Sequence, residues 1–185
     1  HGGQNTFIVV CPASIVINWV REIEKHSELK PVLVHGPSRE RAFDQWQVEG
    51  GVAITTYETI QRLKHENLDT IDLLVVDEAH YVKNPDAKRS QTIYSLTERS
   101  NNVLYLTGTP LENRLAEMVN LVGKLQPDIT KEMENSVQYI GSNTFKEKIA
   151  PVYLRRNKED VLTELPELTQ VEEWLSFGQE EGQIY

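Results

Sequence analysis

One cysteine in 185 residues leaves no internal disulfide to staple this chain. Cys11 has no partner, so it reads as a small apolar side chain packed at a strand end rather than a ligand or nucleophile. The five histidines are scattered without metal-ligand spacing. No apolar run is long enough to cross a bilayer, and nothing after His1 reads as a signal peptide. Repeats and low-complexity tracts are missing as well. Basic residues are scarce: 19 Lys and Arg stand against 28 Asp and Glu, a formal net charge of −9. That balance argues against a strong stand-alone nucleic-acid binder, because neutralising phosphates supplies most non-specific affinity. What is present, 39% hydrophobic and 25% charged residues, is the composition of a soluble globular domain with a real core.

Short β-branched runs recur along the chain: Phe7 to Cys11, Val32 to His35, Val52 to Thr55, Leu73 to Asp77 and Val103 to Thr107. Each is bounded by turn residues, as parallel strands are. Helical patterns lie between them, at Ile15 to His26, Arg39 to Val48, Thr56 to Lys64, Asp86 to Glu98 and Arg114 to Leu125. Ile15, Trp19 and Ile23 recur every four residues and so share one face, where Trp19 reads as a core anchor. Tyr57, Ile60 and Leu63 mark the inner face of the third helix. Strand and helix in alternation predict an α/β fold with a mostly parallel sheet, right-handed crossovers and helices on both faces. After Pro127 the pattern weakens. A polar stretch from 128 to 142 precedes a helix near Thr144, and Asn157 with Asp160 can cap a helix that Pro166 stops. Val171, Trp174, Leu175 and Phe177 look like a strand of something further on.

The strand Leu73-Leu74-Val75-Val76 is apolar on both faces and ends in Asp77-Glu78-Ala79-His80. Interior parallel strands deliver chemistry at their carboxyl ends. Val103-Leu104-Tyr105-Leu106 ends likewise, in Thr107-Gly108-Thr109-Pro110, so two tips point to one crevice. The tip chemistry suits a nucleoside triphosphate, and resemblance to NTPases of the RecA type implies that Asp77 would hold Mg²⁺, often through water, and Glu78 would position the attacking water. An Asp-Glu pair can also simply cap a strand and open a solvated turn, and the pair by itself does not decide between these.

Asp77-Glu78-Ala79-His80 with Lys83-Asn84, then Leu106 to Asn113, resembles motifs II and III of the Swi/Snf-type ATPases of helicase superfamily 2. Val9 to Ser14 with Asn18-Trp19 is similar to motif Ia, Ile54 to Thr59 to motif Ib, and Leu154 to Val161 with Glu164-Leu165-Pro166 to the segment leading out of the first RecA-like lobe. The resemblance implies a RecA-like sheet and, in the parent protein, a DNA-dependent ATP hydrolase using ATP and Mg²⁺ that moves along double-stranded DNA. Asp77 and Glu78 would bind the nucleotide and its metal, with His80, Thr107, Gly108 and Thr109 coupling nucleotide state to lobe closure. DNA contacts are expected at Pro12, Ala13, Ser14 and Asn18, at Thr55, Thr56 and Tyr57, and at Lys83, partly through backbone amides and hydroxyls at helix starts, which need no basic residue. Ordinary N-capping by Ser14 or Thr56 is compatible with this. Implied partners are duplex DNA, DNA-bound proteins or nucleosomes, and a second ATPase lobe of the same chain, with no membrane. The implied location is nucleoid or cytoplasm in a bacterium, nucleus in a eukaryote. Tyr81-Val82 departs from the basic residue and Ile that many members carry.

No Gly-Lys-Ser or Gly-Lys-Thr occurs, so the phosphate-binding loop that precedes motif Ia in the family is not here. Gly123-Lys124-Leu125 lacks the hydroxyl and reads as surface. The expectation is an incomplete lobe: residues 1–127 as part of the first RecA-like lobe, 128–167 as a helical excursion and exit segment, 168–185 as the start of the second. Alone it would hydrolyse ATP poorly or not at all, and the strand at Val103 to Leu106, left without its phosphate-loop neighbour, would be edge-exposed, covered by the tail near Trp174, or paired with another copy. Three other readings remain: another superfamily 2 helicase, a catalytically dead scaffold, or a DNA- or protein-binding module without ATPase activity.

Overall fold

The β-branched runs do form strands. In the computed structural model, which describes residues 5–64, 68, 70–108, 121–125 and 150–154, β1 (Thr6–Cys11), β2 (Pro31–Val34), β3 (Gly51–Thr56), β4 (Ile71–Val76) and β5 (Ser100–Tyr105) make one sheet. Every pairing is parallel and the order is β2-β3-β1-β4-β5. The chain runs outward from β1 through β2, returns at β3, then crosses to β4 on the other flank. The carboxyl ends of β1 and β4 therefore meet at the point where the winding reverses, the place where open α/β sheets bind ligands.

The helices are α1 (Val16–His26), α2 (Arg39–Glu49), the single turn α3 (Tyr57–Ile60) and α4 (Lys88–Glu98), with 3-10 turns at Ala13–Ile15 and Ala79–Val82. Side chains alternate across each strand. Val9, Cys11, Ile54 and Val75 face a cluster that Ile15, Trp19, Val20 and Ile23 cover, so the spacing of four does mark the inner face of α1. Ile8, Val10, Leu74 and Val76, on the alternate positions, are fully buried too. Both faces of the sheet are thus covered. Gly51 is fixed by a close approach: its φ is +98°, and a Cβ there would lie 2.6 Å from the Lys30 carbonyl oxygen.

Two elements differ from expectation. The third helix does not run to Lys64, because Arg62 N donates to Thr59 O and Leu63 N to Ile60 O; such i→i+3 bonds tighten and close a helix. Tyr57, Ile60 and Leu63 are nevertheless all buried. The last strand starts at Ser100, three polar residues early, since Ser100 and Asn102 pair with Ile71 and Leu73. Among the described residues β5 pairs only with β4 and ends the sheet, with Leu104 exposed.

Contacts divide the chain into two units, His1–Val152 and Tyr153–Tyr185. The expected boundaries after 127 and 167 lie outside the described residues, as do Thr109, most of Arg114 to Leu125, the capped helix at Asn157 and the strand at Val171 to Phe177. Residues 121–125 are helical, and Lys124 is exposed with its Nζ 4.8 Å from the centre of the Tyr94 ring. No helix of the described residues is long and apolar enough to cross a membrane.

Candidate functional site

The tip of β4 is tied into the sheet on both sides. Asp77 N donates to Val10 O at 2.8 Å, Leu106 N to Val76 O at 2.9 Å, and Ala79 N back to Leu106 O at 2.7 Å. The last bond draws the turn after β4 against the turn after β5. Glu78, between these anchors, has φ 55° and ψ 52°, the one left-handed non-glycine among the described residues. Left-handed backbone in a side-chain-bearing residue costs of order 1–3 kcal/mol and persists only where its surroundings enforce it. Here it aims the Glu78 carboxylate at the neighbouring turn: a Cβ placed on Gly108 would lie 4.0 Å from Glu78 Oε1. His80 joins them, its Nδ1 3.1 Å from Glu78 Oε2 and 3.5 Å from Thr107 Oγ1. Asp77, Glu78, His80, Thr107 and Gly108 are therefore gathered at the carboxyl ends of two adjacent strands.

Glu78 Oε2 is buried and, among the described residues, makes no hydrogen bond, His80 Nδ1 lying close by as an ion-pair partner when protonated. A buried carboxylate oxygen whose near neighbour pairs with it only when protonated keeps acceptor capacity for a ligand. Asp77 is engaged differently. Its Oδ1 accepts from Glu78 N and its Oδ2 from Trp19 Nε1, both at 2.8 Å. Each oxygen keeps a second acceptor position. No cluster of three or more metal-ligating side chains occurs among the described residues, which would not suit Zn²⁺. It does suit Mg²⁺, a hard cation that keeps several waters and takes one or two carboxylates alongside phosphate oxygens.

The segments expected to meet DNA divide. Ala13, Ser14 and Asn18 are exposed where β1 gives way to α1, with Pro12 and Lys83 half-buried. Ser14 does not cap: neither the 3-10 turn nor α1 has a side-chain cap. After β3 the side chains turn inward. Thr55, Thr56 and Tyr57 are each only 1% exposed. Thr55 Oγ1 donates to Val34 O, and Thr56 Oγ1 accepts from Thr59 N as the N-cap of α3. Tyr57 Oη donates to Asp77 O at 2.5 Å. These side chains are spent inside the protein.

Two roles escaped sequence reasoning: Trp19 and Tyr57 both bind Asp77, one at the carboxylate and one at the carbonyl. Tyr57 also stacks on Tyr81, ring centres 5.4 Å apart, and Arg89 lies over the outer face of Tyr81. The departure at Tyr81 thus completes a stack that braces the turn. Burial, then the Asp77 charge, raises the pKa of the Tyr57 phenol. The same causes push the Cys11 thiol up to about 12, so Cys11 is inert packing.

The SNF2-related domain family matches residues 1–185. The ATP-dependent helicase fft2 of Schizosaccharomyces pombe is 28% identical over 100% of this chain and 16% of its own length. The ISWI chromatin-remodeling complex ATPase ISW1 of Saccharomyces cerevisiae is 34% identical over 86% of the chain and 15% of its own. Among solved structures, the Sulfolobus solfataricus SWI2/SNF2 ATPase core in complex with double-stranded DNA superposes with a TM-score of 0.70 and 27% identity, covering 88% of this chain and 36% of that one. The chain spans only a minor part of the length of these relatives. The sheet order, the joined strand tips and these matches agree: this chain belongs to the SNF2-related domain family of superfamily 2, with a RecA-like fold.

Proposed function

We propose that this chain forms part of the ATP-hydrolysing core of a double-stranded DNA translocase of the chromatin-remodeller type. The observation that carries the reading is the pair of carboxylates at the β4 tip, one of them with a buried oxygen that among the described residues has only the His80 ring as an ion-pair neighbour, held against the turn of the adjacent parallel strand. Asp77 would hold Mg²⁺, which when bound supplies positive charge to the polyphosphate. Glu78, aimed by its left-handed backbone, would orient the attacking water and take its proton. His80 with Thr107, Gly108 and Thr109 would register whether the crevice is filled and pass that state to a second lobe of the parent protein. Phosphoryl transfer needs mainly positioning and charge stabilisation, so a rigid, cross-braced strand tip is a suitable platform.

Duplex DNA would be met by the exposed Ala13, Ser14 and Asn18 with the half-buried Pro12, and by Lys83 beside the acidic turn. With a formal net charge of −9, that contact would rest on hydroxyls, amides and helix starts more than on a basic patch. DNA-bound proteins or nucleosomes are the matching partners. The relatives named for chromatin work are eukaryotic, which favours a nuclear setting over a bacterial one. Strand separation is not required by the reading.

The test is ATP turnover by the full-length protein, with and without duplex DNA, beside its Glu78→Gln variant. Loss of a general base lowers turnover roughly 10²- to 10⁴-fold, while DNA binding persists. Undiminished turnover in the variant removes Glu78 from the mechanism.

A further inference from the structure

Asp77 is gripped by two helices that start at neighbouring strand ends, and the grip on its carboxylate comes from a residue 58 positions earlier. We propose that Trp19 is a positioning residue for Asp77: its indole N–H fixes the carboxylate that faces the crevice and links the exposed start of α1 to that carboxylate. The inference rests on the reading of Asp77 as the metal-holding acid and names a further residue of the same site.

The geometry follows from the sheet. Leu73, Val75 and Asp77 alternate onto one face of β4, and Leu73 and Val75 belong to the cluster beneath α1. Asp77 is thus the next residue on the face that Trp19 covers. The ring of Trp19 packs on the cluster, and its Nε1 reaches Asp77 Oδ2 at 2.8 Å. An N–H bonded to a carboxylate is charge-assisted and directional. With Oδ1 held by Glu78 N at 2.8 Å, the carboxylate plane is set from both ends, which leaves one remaining acceptor position on each oxygen for a metal or its waters.

Asn18 and Trp19 are adjacent in sequence but roughly 100° apart around the helix, so one is exposed and the other points inward. A contact at Ala13, Ser14 or Asn18 that shifts α1 would move the indole and, with it, Asp77. Tyr57 strengthens the link from the next strand end, since its hydroxyl binds the Asp77 carbonyl. A half-buried indole usually finds some acceptor; what singles out this one is that the acceptor is the candidate metal acid itself.

The chain has three tryptophans, hence three indole N–H signals in a ¹H–¹⁵N spectrum, assignable by single Trp→Phe substitutions. Trp46 provides an internal reference, because its Nε1 donates to a neutral carbonyl, Gly51 O, at 3.1 Å. Without nucleotide or metal, the Trp19 indole proton is expected downfield of the Trp46 signal, and Asp77→Asn should move it while leaving Trp46 in place. A Trp19 signal indifferent to Asp77→Asn overturns the proposal even if Trp19→Phe cannot be made. In the full-length protein, Trp19→Phe keeps an aromatic ring on the cluster, though a smaller one, and loses the N–H. The Mg²⁺ concentration for half-maximal turnover should then rise roughly 10- to 100-fold, as when the partner of a metal ligand is removed, with the KM for ATP at saturating Mg²⁺ little changed. An unchanged Mg²⁺ requirement means Trp19 only packs, and overturns the proposal. Full turnover in Asp77→Asn together with a shifted Trp19 signal would instead overturn the metal role beneath it.

Discussion

Asp72 and Asp77 stand at opposite ends of β4, and both carboxylates accept hydrogen bonds on each oxygen. Asp72 Oδ2 accepts from Thr6 N at 2.8 Å and Thr6 Oγ1 at 3.1 Å, and Oδ1 from Asn101 Nδ2 at 3.4 Å. Its donors come from the strands on either side, so it pins β1, β4 and β5 together at the amino ends. Asp77 takes one donor from the next peptide and one from a helix. Beside it lies a left-handed Glu78 whose buried oxygen has, among the described residues, only the His80 ring nearby, and the turn of another strand closes on both. A hydrogen-bonded carboxylate is therefore not by itself a site. What separates the two ends is backbone strain and a buried acceptor next door whose near neighbour among the described residues is a histidine ring. The lower end should govern stability and the upper end turnover.

The same substitution at both positions gives the widest separation. Asp77→Asn in the full-length protein should lower DNA-stimulated ATP turnover by roughly 10²-fold or more, about 3 kcal/mol of barrier, with the melting temperature little moved. Equal losses from Asp72→Asn and Asp77→Asn would erase the distinction. Gly51→Ala probes the lower end harder. A Cβ there would meet the Lys30 carbonyl oxygen at 2.6 Å, with φ at +98°, so a loss of about 3 kcal/mol in denaturant unfolding is expected. Protein that remains folded should keep its turnover.

Thr56 tests whether everything at the upper end is functional. Its hydroxyl is the N-cap of α3, 3.1 Å from Thr59 N, and buried. Thr56→Val should cost about 1 kcal/mol of stability, without altering affinity for duplex DNA at fixed salt. A large loss of DNA affinity in folded protein would restore Thr56 to the interface that its burial denies it.

That pair of outcomes also marks where the sequence stops being informative. β1, β3 and β4 were legible because Val and Ile runs bounded by turns have few other ways to bury themselves, and the joined tips followed from the rule that parallel sheets carry chemistry at their carboxyl ends. Ser100, Asn101 and Asn102 were not legible as strand, because their pairing is imposed by Ile71–Leu73 rather than by their own propensity. Ser14 and Thr56 look alike in sequence, each a hydroxyl at a helix start after an apolar strand. One is exposed and caps nothing, while the other is buried and caps α3. Only the packing around each decides. Trp19 was rightly read as a core anchor, but its acceptor is a distant residue, and no local pattern reports which face of β4 Asp77 occupies until the β1–β4 pairing is known.

The smallest expected effect is at Asp72, and pH exposes it. The Thr6 backbone N–H first, then the Thr6 hydroxyl and the Asn101 amide, hold this carboxyl below the usual Asp range, against a slight upward push from burial. A carboxyl whose pKa is lower folded than unfolded stabilises the protein above its unfolded value of about 3.9, and that contribution fades as pH falls through the folded value. The group is largely in contact with water, so the contribution is screened and well under 1 kcal/mol near neutrality. Asp72→Asn should accordingly lower the urea midpoint slightly at pH 7, and the difference from the parent should close as pH drops below about 4. The Asn amide can accept from Thr6 but not as an anion, so it should show no such pH dependence. A gap that stays constant between pH 7 and 3 would mean that Asp72 acts through shape alone, and the lower end of β4 would then owe its stability to neutral hydrogen bonds.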